Sequence, residues 1–116
     1  IKTFNSNRSP SFDIANFESY HESISENPSR LDADYLIFGY EVIDGGIRIT
    51  DVWLKKIWQI TCPSERYPLK TQIKRDTIYN IRPGTWYSEN VQYSMFSNVE
   101  EFVTALNQTK DQYDSI

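Results

Sequence analysis

The spacing of apolar and polar residues predicts five elements along the chain. Phe17, Tyr20 and Ile24 recur at i, i+3 and i+7, which places three apolar groups on one face of a helix over about 14–25. Glu18, Glu22 and Glu26 fall elsewhere, and Asn27-Pro28-Ser29 stops the helix because proline disfavours a helical residue before it. Residues 33–43 are almost continuously aromatic, aliphatic or β-branched, the pattern of a strand covered on both faces. Asp44-Gly45-Gly46 then signals a hairpin, since glycine supplies the positive φ that tight turns demand. Residues 47–54 return antiparallel, with Ile47, Ile49 and Trp53 at even steps and Asp51 interrupting their face. The stretch 53–60 fits either a short helix or a continued strand.

A third strand is expected over 70–82. Ile73, Thr77, Tyr79 and Ile81 form one face, and Gln72, Lys74, Asp76, Asn80 and Arg82 the other, with Ile78 breaking the polar side. Pro83-Gly84 ends it. Residues 85–97 are aromatic and irregular. A last helix opens at Asn98, where Glu101 completes a capping-box pattern, and Val99, Phe102, Val103 and Leu106 give it a core-facing stripe. The fold class is therefore α+β, with about three antiparallel strands flanked by an N-terminal and a C-terminal helix. Residues 1–12 are polar and turn-forming and read as a linker or loop, 13–112 as the folded part and 113–116 as a tail.

Composition narrows the classes. A length of 116 residues suits one domain, and an aromatic content of 15% is far above that of disordered chains. No apolar run approaches the roughly 18–20 residues of a membrane-spanning helix. Cys62 is the only cysteine and His21 the only histidine, which leaves no internal disulfide and no Cys- or His-rich metal site. The start, Ile1-Lys2-Thr3-Phe4-Asn5, has neither an initiator Met nor the apolar core of a signal peptide, so the expectation is a piece of a longer cytoplasmic protein.

Net charge is −4, but it is unevenly spread. Residues 47–82 hold eight of the twelve basic groups and three acidic ones, a local charge of +5 against −9 for the remainder. Such polarity attracts a polyanion locally while the acidic remainder limits indiscriminate binding, although ordinary scatter on a solvated sheet gives similar counts. Gln72, Lys74, Asn80 and Arg82 are residue types that hydrogen-bond base edges and phosphates, and even spacing on one strand would project them together.

Metal-dependent nucleases of the PD-(D/E)xK kind need carboxylates for Mg²⁺ and a lysine for the attacking water, carried on adjacent strands. The nearest candidates are Asp51 with Gln72-Ile73-Lys74, where Gln72 is neutral in place of the expected carboxylate. The plainer and favoured reading makes Asp51 a strand-end or pairing residue and Lys74 a phosphate contact. Asp32 and Asp34 form a second acidic pair without an accompanying x-Lys. Phosphate-loop, dinucleotide and Ser-elbow motifs are absent, and Cys62 has no histidine near it in sequence.

Three blocks carry a resemblance. They are Leu31-Asp32-Ala33-Asp34-Tyr35-Leu36-Ile37-Phe38-Gly39-Tyr40, then Asp51-Val52-Trp53-Leu54-Lys55-Lys56-Ile57-Trp58, then Tyr67 to Arg75 with Ile78 to Pro83. In this order they resemble the C-terminal parts of type II restriction endonucleases of the NgoBV/NlaIV group, with NgoPII-like enzymes as the nearest alternative, over about residues 12–106. The resemblance implies Mg²⁺-dependent cleavage of double-stranded DNA at a short sequence, by a homodimer on a palindrome, in a system that includes a cognate methyltransferase. It also implies catalytic residues upstream of Ala33, where no PD…(D/E)xK stands, so the catalytic half is expected to be missing and the chain alone inactive. Lys55, Lys56, Lys70, Lys74, Arg75 and Arg82 would then neutralise phosphate, with Gln72, Asn80 and Arg82 as base-edge candidates. The rival readings are a non-catalytic DNA-binding module and a protein-interaction domain using the aromatics of 85–97.

Overall fold

A computed structural model of the chain describes residues 1–115. The α+β expectation holds, in the form of two helices and two small three-stranded sheets. The first sheet has the order β1-β3-β4: β1 (Lys2–Asn5) runs parallel to β3 (Tyr35–Ile43), and β4 (Gly46–Lys55) antiparallel to it. The second has the order β2-β6-β5, from β2 (Ala15–Asn16), β5 (Thr71–Lys74) and β6 (Thr77–Ile81), all antiparallel. Helix α1 spans Phe17–Glu26 and α2 spans Val99–Asp114. Among the described residues no helix is long and apolar enough to cross a membrane.

Five local expectations change. Residues 2–5, expected as loop, form an edge strand because Phe4 is buried opposite Gly39. One apolar residue in a polar stretch has no period to reveal it. The glycine matters here, since a Cβ at Gly39 would stand 3.2 Å from Thr50 Oγ1 and 3.4 Å from the Trp53 ring. Helix α1 begins at Phe17 rather than near 14, because Ala15 and Asn16 pair with β6 and Asn16 caps the helix. The Asn16 side chain accepts from the Ser19 amide at 3.0 Å and donates to the Tyr79 carbonyl at 3.1 Å, so one residue joins helix to sheet. At the other end α2 continues to Asp114, into the expected tail, while Ile116 lies outside the described residues.

The stretch 70–82 is a hairpin, not a single strand. Arg75 and Asp76 turn the chain with φ of 51° and 65°, both in the left-handed region, as a tight two-residue turn of the primed type requires. No glycine marks that turn, so the alternation reads straight through it. Strand β3 also departs from expectation, since Ile37 and Gly39 are buried on one face while Leu36, Phe38 and Tyr40 on the other are only half-buried and Val42 is exposed. The ambiguous stretch 53–60 resolves as both alternatives, with β4 running to Lys55 and a 3₁₀ turn following over Ile57–Gln59.

Each hairpin contains one residue without a partner. In β4, Asp51 pairs with Gly39 and Ile49 with Tyr40, so Thr50 is extra. In β6, Asn80 pairs with Gln72 and Ile78 with Ile73, so Tyr79 is extra. Such a bulge shifts the two-residue alternation by one, and side chains of unlike parity then share a face. Ile78 and Ile81 both turn inward beside Ile73, while Asn80 turns outward.

The core is one cluster. Phe17 and Ile24 of α1, and Phe102, Ala105 and Leu106 of α2, pack with Ile78 and Ile81 of β6 and with Ile57, Ile60, Tyr67 and Leu69. The buried Thr109 hydroxyl of α2 accepts from the Leu69 amide at 3.0 Å, and Thr61 donates to the Arg82 carbonyl at 2.8 Å, so the segment between the sheets is held by paired polar groups. The first sheet joins through stacked aromatics. Phe4 lies 5.7 Å from Trp53 and 5.8 Å from Tyr87, and Trp86 meets all three edge-on. The capping expected at Asn98 is present, with its side chain accepting from the Glu101 amide at 2.9 Å. Glu101 in turn accepts from Ser97.

The core and the cap differ in weight. Phe102→Ala removes a fully buried ring and is expected to cost about 3–5 kcal/mol, whereas Asn98→Ala costs about 1 kcal/mol. Urea unfolding of the two variants checks both magnitudes.

Candidate nucleic-acid interface

Residues directly opposite in an antiparallel ladder point to the same face. Across β5 and β6, Gln72 therefore stands beside Asn80 and Lys74 beside Thr77. Lys70 and Arg82 extend the row, with the Arg82 amide donating to the Lys70 carbonyl at 3.0 Å. Asn16 of β2 adds itself opposite Asn80. The inner face of the same sheet carries Ile73, Ile78 and Ile81, packed on the core. One face of a two-stranded ribbon thus presents Lys70, Gln72, Lys74, Asn80 and Arg82 together. They were expected on one strand; the structure brings them together from two, and the unpartnered Tyr79 is what turns Asn80 and Arg82 outward.

The row has internal order. Asn80 Nδ2 donates to Gln72 Oε1 at 2.9 Å, which fixes the orientation of both amides and leaves a donor on Gln72 and an acceptor on Asn80. The Lys74 ammonium lies 5.9 Å from the centre of the exposed Tyr79 ring. At the turn, Arg75 protrudes while Asp76 holds Arg66 at 2.8 Å, and that contact raises the affinity of the guanidinium for its proton. Arg66 belongs to the loop before the hairpin, and nothing in its spacing announced that it would sit at the turn.

Much of the local positive charge is already matched. Arg48 pairs with Glu41, Lys56 with Asp34 at 2.8 Å, and Arg82 with Asp13. Among the described residues, Lys55, Lys70, Lys74 and Arg75 make no ion pair within the chain. Lys74 and Arg75 are exposed at the hairpin tip, and Lys70 is half-buried at its base. Lys55 and Lys56 lie at the end of the other sheet, apart from the row.

The three weak catalytic candidates are not assembled on neighbouring strands. Asp51 belongs to β4 in the first sheet, and Gln72 and Lys74 to β5 in the second. Asp34 is engaged by Lys56, whose ammonium also donates to the Asp32 carbonyl. Among the described residues no three His, Cys, Asp or Glu side chains converge to hold a metal ion. Cys62 is buried, and burial pushes its thiol pKa up against the opposing charge of Lys70. His21 meets Asn107 at 3.0 Å and is far in sequence from Cys62.

Comparison with known proteins supplies the context. The family model of the NgoBV restriction endonuclease matches residues 1–116. The chain is 47% identical over 111 residues to the type II restriction enzyme NlaIV of Neisseria lactamica, covering 94% of this chain and 46% of that protein. It is 37% identical over 76 residues to the type II restriction enzyme NgoBV of Neisseria gonorrhoeae, covering 65% and 43%. The solved NlaIV restriction endonuclease superposes with a TM-score of 0.91 at 46% identity, over 95% of this chain and 46% of that one. The chain spans about half the length of the relatives it matches. The resemblance carried by the three sequence blocks is borne out, and the chain belongs to the NgoBV restriction endonuclease family.

Proposed function

We propose that residues 13–112 serve as the DNA-recognition part of a type II restriction endonuclease that cleaves double-stranded DNA at a short specific sequence. The observation that carries this reading is the outward row Lys70, Gln72, Lys74, Asn80 and Arg82 on the β5–β6 ribbon. A two-stranded ribbon fits the major groove of B-form DNA, about 12 Å wide. In that pose Lys70, Lys74 and Arg75 neutralise phosphates, and the oriented amides of Gln72 and Asn80 face base edges with one donor and one acceptor. Arg82 joins them by exchanging Asp13 for DNA, and Lys55 and Lys56 touch the backbone farther along.

Hydrolysis of the phosphodiester uses Mg²⁺, which in this reading is held by carboxylates in the half of a relative-length polypeptide that this chain does not span. The 116-residue chain binds DNA without cutting it. The complete enzyme works in the cytoplasm as a homodimer on a palindrome, alongside a methyltransferase that protects the host's own sites.

Three measurements test this. Lys74→Ala and Arg75→Ala should each weaken duplex binding and reduce the slope of log affinity against log salt by about 1. A slope unchanged by both would remove the hairpin from the interface. Arg75→Gly should separate stability from binding, because glycine relieves the left-handed backbone at the turn while deleting the charge. It is expected to raise unfolding stability by about 0.5–1 kcal/mol and to lower DNA affinity. Finally, a polypeptide of NlaIV length that contains this chain should cut plasmid DNA into discrete bands with Mg²⁺ and lose that activity with EDTA, while the 116 residues alone give none.

A further inference from the structure

The outward face of the β3–β4 hairpin is apolar from end to end. Its pairs are Leu36 with Leu54, Phe38 with Val52, Tyr40 with Ile49, and Val42 with Ile47. The bulge at Thr50 produces this face: without it Ile47 and Ile49 would fall opposite to Val52 and Leu54. No charged side chain interrupts it, because Glu41, Arg48, Asp51 and Lys55 all belong to the pairs that point the other way. Yet Val42, Ile47, Ile49, Val52 and Leu54 are each more than half exposed. A contiguous patch of this kind marks a contact rather than a free surface. The whole molecule agrees, since it exposes 7155 Å² where a compact monomer of 13.7 kDa exposes about 6,600 Å².

We infer that this face is the docking surface for the half of an NlaIV-type endonuclease polypeptide that the chain does not span, which covers it with an apolar helix or sheet face. Two facts select that occupant. The same fold recurs at a TM-score of 0.91 inside the NlaIV endonuclease, of which these residues match only 46%, so about half of that endonuclease lies outside the match. The patch is also devoid of charge, as an interface inside a folded domain is, rather than ringed by alternating charges as a regulated contact is. The inference rests on the same reading of the chain as part of a longer endonuclease, but not on the Lys70–Arg82 row, which lies on the other sheet.

The test compares Ile49→Lys in two settings. In the 116-residue chain alone the new charge stands in water, and Tm should stay within about 2 °C of the parent, with a monomer in sedimentation. When the unspanned half of NlaIV is joined to the chain in one polypeptide, the same change buries a lysine in the interface and should lower Tm by about 5–10 °C. Val52→Lys should repeat the contrast, and Arg75→Ala should show none. An unchanged Tm in the joined polypeptide would overturn the inference. So would a parent chain that sediments as a dimer and becomes monomeric with Ile49→Lys, since the occupant would then be a second copy.

Discussion

An antiparallel ladder gives each strand one side-chain phase, and every residue placed inward commits its neighbours outward. This chain depends on breaking that rule twice. Tyr79 stands unpaired in β6, and only because of it can Ile78 and Ile81 both reach the core while Asn80 and Arg82 face out beside Gln72 and Lys70. Thr50 stands unpaired in β4 and gathers Ile47, Ile49, Val52 and Leu54 on one side while Trp53 enters the aromatic cluster from the other. Remove either extra residue and half of that strand exchanges its inner and outer sets.

The two sheets use this device to opposite ends. In the second sheet it separates a greasy inner face from a hydrogen-bonding outer one, and the buried side is sealed by α1 and α2. In the first sheet the aromatic cluster holds only the base of the hairpin, through Phe4, Trp53, Trp86 and Tyr87. The far part of the hairpin extends into solvent, which accounts for the elongated 51 × 31 × 25 Å outline.

The sequence was most legible where a single period runs unbroken. Helix α2 declared its cap at Asn98 and its stripe through Phe102 and Leu106, and both stand as expected. Helix α1 declared the Phe17–Tyr20–Ile24 face but not its start, because the pairing of Ala15 with Ile81 is a long-range contact with no local mark. The β5–β6 turn was hidden by its residues, since arginine and aspartate occupy the left-handed positions where glycine or asparagine is the usual sign. The polar row was visible as a set of residue types, and Gln72, Lys74 and Asn80 do share a face while Asp76 turns the chain, but a bulge leaves no compositional trace and the strand carrying them was misdrawn. The apolar run of β3 spoke truly of two faces to be covered, although only one is covered within these residues. Catalytic chemistry was not legible at all, in keeping with the separate sheets that hold Asp51 and Lys74.

Cys62 gives the chain a built-in clock. It is the sole thiol, 5% exposed, and lies in the segment that Thr61 and Leu69 clamp between the second sheet and α2. A disulfide reagent therefore reacts only during the moments when that clamp is open, and its rate reads out the free energy of opening without any label being introduced. Because the same clamp anchors the strand that leads into the β5–β6 ribbon, slower labelling in the presence of DNA would report that the ribbon has been gripped.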